Sequence, residues 1–195
     1  MVTIKKYNYD ETQISSILVD ESSSNFLWIS FLINAGTCLL KKVNCYNPLQ
    51  TYYDIDVVAD KIVKLFNDTT YLYVAIEYST ILGYRYLKSN PLSTSITYTK
   101  PISIIENPID ILTDSTYVYF LIPGIGSGNN TKIAQFTLGG TFVQIIDLLL
   151  VTDATSFYID TNGDIWVVTY TDPTQLIRVY DIGSNVWNFT ITQII

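Results

Sequence analysis

Apolar and polar residues alternate along this chain in short runs that break at Gly, Pro, Asn, Asp or Ser. A period of two is the signature of a strand with one face on a core and the other toward water. No long segment places apolar residues at helical spacing, and good helix formers are scarce beside Ile, Val, Thr and Tyr. The runs also repeat. Ile14–Asp20 leads to Phe26-Leu27-Trp28-Ile29, and Ile62–Asp68 leads to Tyr71-Leu72-Tyr73-Val74. Ile109–Asp114 leads to Tyr117-Val118-Tyr119-Phe120, and Thr155–Asp160 leads to Asp164-Ile165-Trp166-Val167. Each unit is a short apolar strand ending in Asp, a polar turn, and a strand centred on Trp or Tyr, with a period of about 47 residues.

Two further strands follow in every unit. The third strands are expected at Thr37–Asn44, Ile81–Lys88, Lys132–Leu138 and Leu176–Ile182, and the fourth at Thr51–Val57, Ser95–Lys100, Phe142–Leu148 and Trp187–Ile194. The turn formers Asn47-Pro48, Ser89-Asn90-Pro91, Gly139-Gly140 and Gly183-Ser184-Asn185 separate them. The expected fold is all-β, with at least about 14 strands. Residues 1–195 form a single β-propeller-like domain of four four-stranded antiparallel blades, as a four-bladed ring or an open arc. The blades span about 12–58, 59–102, 103–150 and 151–195. Residues 1–11, through Thr3–Tyr9, are read as an extra strand able to close the ring, cover an edge or pair with another chain.

The repeated residues have simple physical roles. A lone blade has two apolar faces and buries neither, so blades must stack. Asp20, Asp68, Asp114 and Asp160 are placed to bond the backbone of their own turns. Trp28, Tyr73, Tyr119 and Trp166 are large enough to fill the space between neighbouring blades and are expected to be buried there. The last unit, Phe157-Tyr-Ile-Asp160-Thr-Asn-Gly163-Asp-Ile-Trp166-Val-Val168, resembles the repeat of NHL-type and two-component-regulator-type propellers, in which an apolar strand, Asp, a Gly-containing turn, an aromatic residue and Val follow one another. The third unit matches more loosely, and the first two lack the turn Gly. The resemblance implies a fold and no particular activity, because propellers host many functions.

Composition narrows the function. Charged residues make up 15% of the chain and the net charge is −7, with 11 Lys plus Arg. The densest basic spots are the pairs Lys5–Lys6 and Lys41–Lys42, too small a patch for a nucleic-acid partner. No apolar run reaches the ~20 residues of a membrane-spanning helix, and no basic-then-apolar leader follows Met1. Cys38 and Cys45, in one strand and its end, are expected as thiols rather than a disulfide. Histidine is absent, which removes the usual general base, the Ser-His-Asp and Cys-His nucleophile systems and most zinc ligands, so neither metal nor cofactor is expected.

Local motifs read as turns and loops. Asp160-Thr-Asn162-Gly-Asp164 lacks the Gly and acid spacing of a calcium loop and is a plain β-turn. Gly124-Ile-Gly126-Ser-Gly128 leads into a strand instead of the helix a phosphate loop requires, and is a hairpin loop able to serve recognition. Tyr170 and Trp187, near strand ends, are candidate interaction residues, and Asn67, Asn129 and Asn188 head glycosylation sequons. The expected function is a non-enzymatic scaffold that binds protein partners, or itself, through loops on one propeller face. Low charge and abundant Ile, Tyr, Asn and Thr suit an exposed component of a virus or phage particle or of a cell surface. A carbohydrate-binding lectin is the alternative, and a carboxylate-based glycosidase or lactonase-like enzyme the second.

Overall fold

The computed structural model describes residues 13–23, 25–47, 51–92, 95–124, 130–149, 151, 153–169, 175–181 and 186–193, with the backbone alone at 95, 175, 180–181 and 186–193. Thr3–Tyr9, Gly126, Gly128 and Tyr170 lie outside the described residues, and Trp187 belongs to a strand described by its backbone. The described chain is all strand and turn. β1 (Gln13–Val19), β2 (Phe26–Asn34), β3 (Thr37–Asn44) and β4 (Thr51–Val58) form the first antiparallel sheet, and β5 (Lys61–Asn67), β6 (Tyr71–Glu77), β7 (Ile81–Leu87) and β8 (Ser95–Thr99) the second. The third holds β9 (Asp110–Thr113), β10 (Tyr117–Ile122), β11 (Thr131–Thr137) and β12 (Phe142–Leu148), and the fourth β13 (Ala154–Ile159), β14 (Ile165–Thr169), β15 (Gln175–Asp181) and β16 (Val186–Gln193).

Every sheet is a meander in chain order, so each strand pairs with its sequence neighbour. The first strands of consecutive sheets, β1 with β5, β5 with β9 and β9 with β13, lie beside one another, which makes them the inner strands of a stack of blades. β1, β5 and β13 each carry an irregularity at the same place relative to the repeat Asp, between Ile14 and Ser16, Ile62 and Lys64, and Ala154 and Ser156. A bulge there sharpens the twist of the inner strand and turns its later side chains toward the next blade.

The core lies between the blades. Trp28, Leu40, Leu65 and Val74 belong to a cluster joining the first two sheets. Tyr73, Tyr98, Ile111 and Phe120 join the second to the third, and Tyr119, Leu121, Phe157 and Val167 the third to the fourth. Gly83 is where backbone closeness decides the residue. A Cβ there would stand 2.2 Å from the Val74 carbonyl oxygen and 2.8 Å from the Phe120 ring. Cys38 is buried and no disulfide joins it to Cys45.

Candidate functional site: the turn face

Asp20, Asp68, Asp114 and Asp160 each close the turn between the first and second strands of a blade, so the four turns mark one end of the stack. One carboxylate oxygen of each accepts from backbone amides of its own turn. Asp68 Oδ1 takes the amides of Thr70 and Tyr71 at 2.7 and 2.6 Å. Asp114 Oδ1 takes those of Thr116 and Tyr117 at 2.6 and 2.7 Å, and Asp160 Oδ1 those of Asn162 and Asp164 at 2.8 and 3.0 Å. These are turns in which the side chain satisfies orphan donors. In the fourth blade Gly163, at a φ of 91°, supplies the left-handed residue of the turn, as its place in the motif required.

The second carboxylate oxygen reveals why Asp and the aromatic residue recur together. Tyr73 Oη donates to Asp68 Oδ2 at 3.0 Å, Tyr119 Oη to Asp114 Oδ2 at 2.6 Å, and Trp166 Nε1 to Asp160 Oδ2 at 2.9 Å. The polar tip of each aromatic residue is thus satisfied while its ring packs. Burial together with the Asp68 charge pushes the Tyr73 hydroxyl up to about 12, and the bond from Trp166 helps to hold the Asp160 carboxyl below its ordinary value. Replacing Tyr119 with Phe is expected to cost about 1.5–3 kcal/mol, because the acceptor is charged. Urea unfolding measures it. A loss indistinguishable from zero would mean that the bond contributes nothing.

The register is invariant where the turn lengths differ. Each aromatic residue pairs with the residue two before the Asp: Trp28 with Leu18, Tyr73 with Phe66, Tyr119 with Leu112 and Trp166 with Tyr158. Its partner on the third strand is a long polar side chain: Lys42, Arg85, Gln135 and Arg178. Sequence reasoning missed this column, because loops of unequal length between second and third strands hide its period. Lys42 lies 5.3 Å from the Trp28 ring centroid, and the Arg178 guanidinium 5.9 Å from that of Trp166.

The first blade departs from the pattern. Its turn is longer, and the buried indole N–H of Trp28 has no hydrogen-bond partner among the described residues. Asp20, with 0% exposure, is held instead by Lys42 Nζ and Lys88 Nζ, each at 2.7 Å. Ser22 adds its amide and hydroxyl, at 2.9 and 2.6 Å. Burial raises the Asp20 carboxyl, but the two ammonium groups and Ser22 outweigh it and carry it well below the carboxylate range. Lys88 comes from the second blade and also bonds Asn67 Oδ1 at 3.1 Å. Asn67 in turn donates to the Val19 carbonyl at 3.0 Å and accepts from the Glu21 amide at 2.8 Å, lacing the two blades together. With 2% exposure, Asn67 is no glycan acceptor in the folded chain.

Between the second and third blades the turn face opens into a groove of about 370 Å³, rimmed by Glu21, Asp68, Thr69, Asp114, Ser115 and Leu138. Two of the repeat carboxylates, Asp68 and Asp114, stand on this rim. Gly124 is half-buried just after β10. Trp28, Tyr73 and Tyr119 are buried, with exposures of 0%, 1% and 3%, whereas Trp166, also expected to be buried between blades, is only half-buried, because no further blade among the described residues covers its face. The inner strands carry one carboxylate among the described residues, Asp110, whose pKa burial raises, in part offset by Lys64 and the amides of Ile111 and Phe157. No group of three or more His, Cys, Asp or Glu among the described residues is arranged to hold a metal. No helix among the described residues is long and apolar enough to cross a membrane.

No family model and no curated protein matches this chain. Solved structures do. The chain resembles a quinoprotein alcohol dehydrogenase-like protein from Bacteroides thetaiotaomicron with a TM-score of 0.57 and 11% identity, over 98% of this chain and 43% of that one. It resembles the extracellular domain of a hybrid two-component system from B. thetaiotaomicron with a TM-score of 0.58 and 14% identity, over 95% and 25%. A eukaryotic initiation factor matches with a TM-score of 0.56 and 13% identity, over 93% and 43%. The fold is that of propeller blades, and the chain spans less than half the length of each of these proteins.

Proposed function

We propose that this chain is a non-enzymatic recognition module that binds protein partners across its turn face. One observation carries the reading. In the second, third and fourth blades both oxygens of the repeat carboxylate are engaged, one by turn amides and one by an aromatic donor, so these groups build the surface instead of reacting on it. Between them the turns present exposed Glu21, Thr69, Thr70, Ser115, Thr116, Thr161 and Asn162, short polar side chains on a rigid scaffold. Paired carboxylates that could divide acid and base roles at a glycosidic bond are not found on the inner strands among the described residues. The setting that the sparse charge of the chain suits is a particle or cell surface where such faces are covered by neighbours.

A photo-crosslinking residue placed at Ser115, on the turn face, and separately at Thr80, in the turn between β6 and β7 at the other end, tests this in extract of the source cells. The Ser115 probe is expected to give discrete protein adducts and the Thr80 probe few. Equal labelling from both, or binding to a glycan array at micromolar concentration, would replace the reading with a non-specific surface or a lectin.

A further inference from the structure

The groove between the second and third blades carries charge of one sign. Glu21 from the first blade, Asp68 from the second and Asp114 from the third line it, and no Lys or Arg does. Asp68 and Asp114 are held by neutral donors, backbone amides on one oxygen and a tyrosine hydroxyl on the other. Lys88, which bonds the Asp68 backbone carbonyl, is 4% exposed and committed to Asp20. Aromatic residues line the same groove: Tyr71 and Tyr73, ring centroids 6.4 Å apart, and Phe66, 6.1 Å from Tyr73.

Elsewhere the chain places a cation of its own in this kind of setting. In the first blade Lys42 Nζ lies 2.7 Å from Asp20 Oδ2 and 5.3 Å from the Trp28 ring centroid. In the fourth the Arg178 guanidinium lies 3.3 Å from Asp164 Oδ2 and 5.9 Å from the Trp166 ring centroid. In the second, Arg85 stacks on Tyr71, 4.2 Å from the ring centroid, so a ring that lines the groove already takes a guanidinium. A cation beside both a carboxylate and an aromatic ring is attracted by each. The groove sets carboxylates and rings around about 370 Å³. Ligand pockets run from roughly 300 to 1,000 Å³, and the lower end of that range suits one long side chain.

We infer that the groove seats an arginine side chain of a protein partner, its guanidinium against the tyrosine rings and its donors toward the rim carboxylates. Arginine fits this setting better than lysine, because its planar group stacks on a ring while its N–H donors reach carboxylates at the side. The inference rests on the reading that the turn face binds protein, and names the side chain that anchors the partner there.

Titration of the full chain with two peptides, acetyl-Gly-Arg-Gly-amide and its citrulline counterpart, tests this at low ionic strength, followed by methyl and aromatic resonances. Citrulline keeps the shape of arginine and loses its charge. The arginine peptide is expected to shift the Leu138 methyl and Tyr71 ring signals saturably, and to bind about fivefold tighter than the citrulline peptide, as a partly exposed charge pair allows. Ser115→Arg, which sets a cation on the rim, is expected to remove that preference, and Glu21→Gln to lower it by about half. Both residues are exposed, and circular dichroism checks that each variant folds. Equal binding of the two peptides, a preference untouched by either variant, or shifts that leave Leu138 and Tyr71 unmoved overturns the inference. No extract enters this titration, so it can fail while Ser115 probes still give discrete adducts. That result would leave the turn-face reading in place without arginine as its anchor.

Discussion

Replacing Asp20 with Asn is expected to cost about 3–5 kcal/mol, the range for breaking a buried ion pair from one side. The amide keeps the size of the side chain but leaves the ammonium groups of Lys42 and Lys88, 13% and 4% exposed at the side chain, without the charge that balances them. Lys88 reaches Asp20 from the second blade and so ties the first two blades together, and the loss should appear as an earlier cooperative transition in urea, at roughly unchanged slope. The effect has a defined pH window. The folded carboxyl titrates below its ordinary range, so its contribution is present in full above the unfolded pKa of about 3.9 and is lost as pH falls from there toward the folded value. The gap between the original chain and Asp20→Asn should therefore narrow below about pH 4. A gap under about 1 kcal/mol at pH 7 would mean that the charges are solvated.

Phe120→Ala is expected to cost about 3–5 kcal/mol as well, by a different mechanism. Phe120 is fully buried among Tyr98 and Phe136, with ring centroids 5.4 and 5.7 Å away, and it presses on the backbone at Gly83. Its removal leaves a cavity at the centre of the seam between the second and third blades. Collapse is resisted because the backbone on one side is strand and the rings on the other are anchored, Tyr98 through its bond to the Leu138 carbonyl at 3.4 Å. A cost below about 1 kcal/mol would show that the ring is replaceable by a small rearrangement.

The strands were legible because period-two alternation and turn chemistry agree in every unit, and the strands lie where the alternation placed them, except that β2 and β6 run on past Ile29 and Val74 to Asn34 and Glu77. The pairing of Asp with an aromatic residue was legible as a spacing. Its meaning as one hydrogen-bonded device was not, because a spacing carries no information on which carboxylate oxygen faces which ring. The ion cluster of Asp20 was out of reach for a related reason. Lys88 lies in the next unit, and Lys41–Lys42 read as a surface pair, although Lys42 turns inward to the Trp28 ring. Trp166 shows the limit of repeat logic: its residue type matches the column, but it is only half-buried, because burial depends on what packs against a blade and not on the residue type alone.

The account stands on consecutive blades packing aromatic side to inner strand, and inter-blade nuclear Overhauser effects from selectively methyl-labelled protein measure this most directly. Contacts from the Trp28 indole to Leu65, from the Tyr73 ring to Ile111 and from the Tyr119 ring to Ile165 are predicted, one set per seam. Aromatic-to-methyl contacts that stay within each sheet and never cross to the next would contradict it.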